Sequence, residues 1–171
     1  TPIEGSKALF VTEDPLDAIA HSQLFPGARY AYLCTGGTST KAQREMIHSF
    51  SQKFKLPIIL GNDNDLAGQL ENFKLAYHTA NIEYAINSKT QRVLLTVNGA
   101  EREWGKDEIV AALQAVMKQR PNMILSIPWA KDWNDDLRSS KKSISLRIAE
   151  NMVRAQIETT KSCLLYTSPS P

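Results

Sequence analysis

Cysteine and histidine are scarce in this 171-residue chain, which has two of the first and three of the second. Cys34 and Cys163 form neither a disulfide framework nor a metal cage. His21, His48 and His78 are too scattered to complete a zinc site. A reducing, cytoplasmic setting is the default for such usage. No apolar run reaches membrane-spanning length and no signal peptide opens the chain, so no membrane is expected among its partners. No charge of one sign dominates either: the net charge of +2 leaves any contact with nucleic acid to a local patch. The first residue is Thr rather than Met, and the expectation is a fragment of something longer.

What is present is enough apolar content, 42%, for one domain with a sizeable core. The chain is organised around residues 57–68. Ile58-Ile59-Leu60 has the pattern of a strand buried on both faces, Gly61 and Asn62 break the run, and Asp63 and Asp65 follow one residue apart. A helical pattern begins near Gly68. Both acids then lie at the carboxyl end of a parallel strand, where open α/β sheets bind ligands. Two carboxylates this close repel, and a divalent cation between them relieves the repulsion.

Other readings compete. Asp63, Asp65 and Gly68 fit the first, third and sixth positions of an EF-hand loop, but Ala67 and Lys74 fall at the fifth and twelfth, so that reading fails. An aspartyl-phosphate phosphatase also places Asp-x-Asp after a strand, with Leu66-Ala67 as the mismatch here. The plainest alternative is a helix N-cap and a solvated turn. Taken alone, the motif does not exceed it.

Three more strands are predicted. Ala8-Leu9-Phe10-Val11 ends at Thr12-Glu13-Asp14; Pro15 opens a helix with Leu16, Ile19, Ala20 and Leu24 on its apolar face, and Asp17 lies one turn on. Residues 29–34 lead into Thr35-Gly36-Gly37-Thr38 and a helix over 41–54. The glycines can bring backbone N–H groups to a phosphate, although a plain turn explains them equally well. Cys34 reads as core rather than nucleophile. A helix over 66–80 carries Leu70, Phe73 and Tyr77 on one side.

Strand–helix alternation then stops. Residues 92–104, with Asn98-Gly99 at the centre, read as a β-hairpin. Asp107 is expected to cap a helix bearing Ile109, Leu113, Val116 and Met117, with Pro121 beyond its end. Residues 81–122 therefore form an insertion. The strand 123–127 follows and runs toward Lys131, Asp132, Asp135 and Asp136. An amphipathic helix is expected over 141–157, with Arg138, Lys141 and Lys142 nearby; a solvated face accounts for these cations as well as a binding role does. Residues 163–171 have no periodicity and resemble a translated sequencing adapter. They are expected to be a read-through scar, which leaves 1–162 as the native domain.

Three strand ends thus carry acids: Glu13 with Asp17, Asp63 with Asp65, and Asp132 with Asp135. Mg²⁺ takes one or two protein carboxylates and keeps waters or phosphate oxygens, so a further carboxylate stays free for proton transfer. Val11-Thr-Glu13-Asp-Pro-Leu-Asp17, Cys34-Thr-Gly36-Gly37-Thr38, Gly61-Asn-Asp63-Asn-Asp65 and Lys131-Asp132-Trp-Asn-Asp135 together resemble, in order and spacing, the motifs of a Toprim domain. That module is shared by bacterial-type primases, type IA and type II topoisomerases, OLD-type nucleases and recombination-repair proteins. The resemblance spans about 7–137 apart from the insertion and is nearest to primase-type proteins of plasmids and other mobile elements.

The resemblance implies that Glu13 is the general acid or base and that Asp63 and Asp65 bind Mg²⁺ or Mn²⁺. Asp17, Asp132 and Asp135 would be supporting acids. Lys131 would hold a phosphate; beside the resemblance, the residues themselves offer Gly36, Gly37, Arg138, Lys141 and Lys142 to meet phosphate or nucleic acid. The resemblance further implies a Rossmann-like α/β fold with a mainly parallel four-stranded sheet flanked by helices. The inserted β-hairpin plus helix, read from the residues, departs from the minimal Toprim core. The expected activity is nucleotidyl transfer on a DNA or RNA template, primer synthesis first. A nuclease or nicking domain, or a non-catalytic DNA-binding module, is the alternative. An upstream zinc-ribbon or relaxase module would lie on a missing part.

Overall fold

The computed structural model describes residues 4–139. Four strands, β1 (Ala8–Thr12), β2 (Tyr30–Cys34), β3 (Ile58–Leu60) and β7 (Met123–Leu125), form one sheet in the order β2-β1-β3-β7. Every pairing in it is parallel, with Leu9 opposite both Ala31 and Ile58, and Ile58 opposite Met123. Side chains alternate across a strand, and here both faces are covered. Leu9, Val11, Ile58 and Leu60 enter one core with residues of α2 (Lys41–Phe54), α3 (Leu66–Ala76) and α4 (Lys106–Gln119). Ala8, Phe10, Ile59 and Ile124 enter the other with Ala20 of α1 (Pro15–Leu24) and Trp133 of α5 (Trp133–Arg138). Strands buried on both faces read as unbroken apolar runs.

The helix starts follow capping chemistry. Asp14 accepts the Leu16 N–H at 2.6 Å, ahead of Pro15 in the first turn of α1. Thr40 and Gln43 form a capping box at α2.

The insertion departs from the expected hairpin. It is a three-stranded antiparallel sheet, β4 (Ile82–Asn87), β5 (Arg92–Val97) and β6 (Ala100–Gly105), in sequential order. β4 escapes a reading by pattern because its residues are almost all exposed and backbone pairing to β5 holds it. Val93 and Leu95 are the buried positions of β5, and α4 brings Ile109, Leu113 and Met117 to the same core. The cap of α4 is Gly105 rather than Asp107: the Gly105 N–H donates to Glu108 Oε2 at 2.7 Å. α3 stops at Ala76, short of residue 80.

Helix α1 is rotated from its expected face. Leu16 and Ile19 are 59% and 51% exposed, while Asp17, Ala18, Ala20 and His21 are buried. The cause is α5, which packs on α1. Trp133 meets the His21 ring edge-on at 4.7 Å, His21 lies 3.9 Å from the Phe10 ring, and its Nδ1 is 3.0 Å from the Tyr32 hydroxyl. Tertiary packing overrides the apolar stripe. The helix expected over 141–157, Lys141, Lys142 and the tail 163–171 lie outside the described residues.

Candidate active site

The carboxyl ends of β1, β2 and β3 open into a cleft of about 490 Å³, lined by Glu13, Asp14, Asp17, Gly36, Gly37, Asp63, Asp132 and Asn134, with Pro15. Strand order explains the meeting: β1 lies between β2 and β3, so the loops leaving all three sit side by side. The Gly36 N–H donates to the Glu13 carbonyl at 2.9 Å, which joins the first two loops. Gly36 and Gly37 have φ of 71° and 116°, open to glycine at little cost.

The loop bearing Asp63 is held by buried amides of α3. Asn62 donates through Nδ2 to Asn72 Oδ1 at 3.0 Å, and Gln69 Nε2 donates to the Asp63 carbonyl at 2.8 Å. Gly68 packs so closely on this loop that a Cβ would overlap the Asp63 backbone. From the other side the Asn64 N–H donates to the Lys131 carbonyl at 2.7 Å, and Lys106 Nζ stands 3.4 Å from Asn64 Oδ1. Gln69, Asn72 and Lys106 carried no signal in sequence, since amides and a lysine on helices look like ordinary surface residues.

The expected acids divide by what they already hold. Asp65 Oδ1 accepts the Gly68 N–H at 2.9 Å, so it caps α3, and its Oδ2 lies 3.9 Å from Lys131 Nζ. Asp132 caps α5 through the Asp135 N–H at 2.7 Å. The lining of the cleft includes neither Asp65 nor Asp135. Asp17 is buried and accepts the Asn134 N–H at 3.3 Å. Glu13 and Asp63 accept no side-chain-directed bond of this kind among the described residues. Arg138 is the last residue of α5. Asp14 and Asn134 were not singled out in sequence as site residues; the Asp before Pro15 signals a cap, and Asn134 sits inside the Lys131–Asp135 motif.

The cleft lining contains five carboxylates and no Lys or Arg. Burial, followed by the carboxylates of Asp17, Asp65 and Asp132, pushes Asp63 up to about 7 against the opposing pull of Lys131. Burial also raises Glu13, with Glu71, Asp65 and Asp14 adding to it. Asp17 is raised by burial first, while the Asn134 N–H pulls it back. Burial raises the Cys34 thiol as well, which keeps it protonated and unsuited to nucleophilic attack.

Among the described residues no group of three His, Cys, Asp or Glu side chains is arranged to hold a metal ion by itself. The donors of the cleft nevertheless fit Mg²⁺ or Mn²⁺: they are hard carboxylate oxygens, uncompensated by any lining cation, and Mg²⁺ binds through one or two such groups while retaining water. Among the described residues no helix is long and apolar enough to cross a membrane.

Residues 10–92 match the model of the Toprim-like family. The matched span carries Glu13, Asp17, Gly36, Gly37, Asp63 and Asp65; Lys131, Asp132 and Asp135 lie beyond it. No curated protein and no solved structure matches the chain. The family generally uses Mg²⁺, and membership implies metal-dependent phosphoryl transfer on nucleic acid. The parallel sheet, its flanking helices and the acids at its carboxyl edge agree with that assignment: residues 10–92 of this chain are a Toprim-like domain.

Proposed function

We propose that this chain is the catalytic domain of a primase-type protein of a plasmid or other mobile element, spanning residues 1–162, and that it joins nucleotides on a DNA or RNA template. The observation that carries the reading is the crowd of carboxylates around Asp63 in a cleft with no lining cation. Such a crowd favours polyanionic substrate only in company with a divalent metal.

Asp63 and the Asp65 oxygen that does not cap α3 would hold Mg²⁺ or Mn²⁺, with Asp17, Asp132 and Asp135 as supporting acids. When bound, the metal would neutralise phosphate charge in the way divalent ions do in phosphoryl transfer. The chain's own groups do the rest. Glu13 takes the proton of the attacking 3′-hydroxyl. Burial raises its pKa, which makes its carboxylate a stronger base than an exposed glutamate. Asp17 is fixed by the Asn134 amide and keeps the wall of the cleft acidic. Gly36 and Gly37 leave backbone open to a phosphate, and Lys131, with Arg138, Lys141 and Lys142 further along, adds positive charge for the nucleic acid backbone.

Glu13→Gln keeps size and hydrogen bonding but removes the ability to accept a proton. In a primer-extension assay its turnover is expected to fall by roughly 10²–10⁴-fold, while Mn²⁺ still raises its melting temperature. Full turnover in Glu13→Gln would overturn the role given to Glu13. If wild type cuts a labelled strand and extends no primer, the same acids serve a nuclease instead.

A further inference from the structure

The loop after β7 presents Trp129 with 73% of its surface exposed, above Leu16, Ile19 and the other large apolar side chains left in solvent. Exposure of one indole alone means little. Here the backbone beneath it is pinned. The buried carboxylate of Asp136 accepts the Trp129 N–H at 2.7 Å and the Ala130 N–H at 2.6 Å, one on each oxygen. Lys131 follows, with its Nζ 3.9 Å from Asp65 and its carbonyl bonded to Asn64. Asp132 comes next and lines the cleft. Within four residues the chain therefore sets out an exposed indole, a cation and an acid of the candidate site, on a backbone fixed by a buried carboxylate. The neighbouring Trp133 shows the contrast: it is buried and spends its Nε1–H on the Gly61 carbonyl at 2.7 Å.

We propose that Trp129 is a stacking platform for an unpaired base of the strand whose backbone enters the cleft. This rests on the nucleic-acid reading of the cleft. An aromatic face beside a lysine is the arrangement by which proteins hold single strands, stacking the base and drawing in the phosphate. A base inside a duplex has no free face to offer, so the site selects single strand. Fixing the backbone in advance lowers the ordering cost of the contact.

The test uses the full chain and a labelled oligo(dT), with a matched duplex of equal length. Trp129→Ala is expected to weaken oligo(dT) binding by about 5- to 100-fold, with the salt dependence unchanged because no charge is lost. Trp129→Phe should retain most of the affinity, and the duplex should respond little to either change. Intrinsic fluorescence should be quenched by oligo(dT) in wild type and far less in Trp129→Phe. Unchanged oligo(dT) affinity in Trp129→Ala overturns the platform, as does an equal loss on duplex. Loss of Mn²⁺-dependent melting in Trp129→Ala also overturns it, since the residue would then serve the loop rather than the strand. Poor acrylamide quenching of Trp129 in the chain without DNA would give the indole to another part of the chain. Wild type that binds neither nucleic acid fails the cleft reading together with this one.

Discussion

The cleft and the antiparallel insertion both gather carboxylates, and they treat them in opposite ways. In the insertion Glu108 accepts the Gly105 N–H and faces Arg92 at 3.0 Å and Arg102 at 3.6 Å, while Glu103 faces Arg92 at 3.3 Å. The Gly105 amide first, then the guanidiniums, hold Glu108 below the usual carboxylate range. In the cleft Asp63 is pushed up to about 7, by burial and then by three other acids. Overall composition cannot cause the difference, since one chain of net charge +2 contains both. The insertion balances its acids locally. The cleft leaves its acids unbalanced at a cost in stability, the mark of a site arranged for a positively charged ligand.

The largest expected effect comes from removing the central unbalanced acid. Asp63 has a folded pKa raised above its unfolded value, so between about 3.8 and 7 the folded state binds the extra proton. Its contribution therefore falls as pH rises through that window and is fully unfavourable above it. In EDTA, Asp63→Asn should melt higher than wild type at pH 8, and the gap should close toward pH 5. With Mn²⁺ the order should reverse, because the mutant gains nothing from metal, and turnover should be lost. Equal melting shifts with Mn²⁺ in both proteins would move the metal away from Asp63.

A smaller effect tests how the unbalanced site is held. Alanine normally stabilises a helix over glycine by about 1 kcal/mol. At Gly68 the added Cβ would meet the Asp63 backbone, so Gly68→Ala is expected to destabilise by about 1–3 kcal/mol and to blunt the Mn²⁺ shift. A stabilised Gly68→Ala with an unaltered metal response would show that the loop yields freely, and that its fit against α3 does not shape the site.

The same contrast governs what the sequence disclosed. Parallel strands buried on both faces are continuous apolar runs, and β1, β3 and β7 are legible in that way. β2, at the sheet edge and half-buried toward its end, is legible as the strand expected over 29–34. The acids beyond the ends of β1 and β3 were legible too, because they follow closely on the apolar runs that mark those strands. β4 was not, since Tyr84 and Ile86 are exposed and Ile82 only half-buried, which makes no buried stripe, and backbone pairing to β5 orders the strand. The face of α1 was misread because α5, more than a hundred residues away in sequence, buries Asp17 and His21 instead of Leu16 and Ile19. Asp132 and Asp135 show the limit at the site itself. The N-cap weighed for residues 63–65 holds for Asp65, which caps α3. Pattern did not show that Asp132 would cap α5 or that Asp135 would stand outside the cleft lining. Capping depends on where an oxygen points, which residue type does not fix.

The smallest expected effect belongs to the balanced acids. Glu108 has a lowered folded pKa, so its contribution is present above its unfolded value of 4.5 and is lost as pH falls through the folded one. That sign is opposite to Asp63. The pairs it makes with Arg92 and Arg102 are open to solvent, where water and salt screen charge and long side chains resist being fixed. Glu108→Gln keeps an oxygen to accept the Gly105 N–H and removes only the charge. Its melting temperature should fall by no more than about 3 °C at pH 7, and the deficit should shrink in high salt and as pH falls below 4.5. The Mn²⁺ shift should match wild type. A Glu108→Gln protein that loses the Mn²⁺ response would mean that the insertion's charges reach the cleft, through Lys106 and its contact with Asn64. The two acid clusters would then be one electrostatic unit, and the contrast between them would fail.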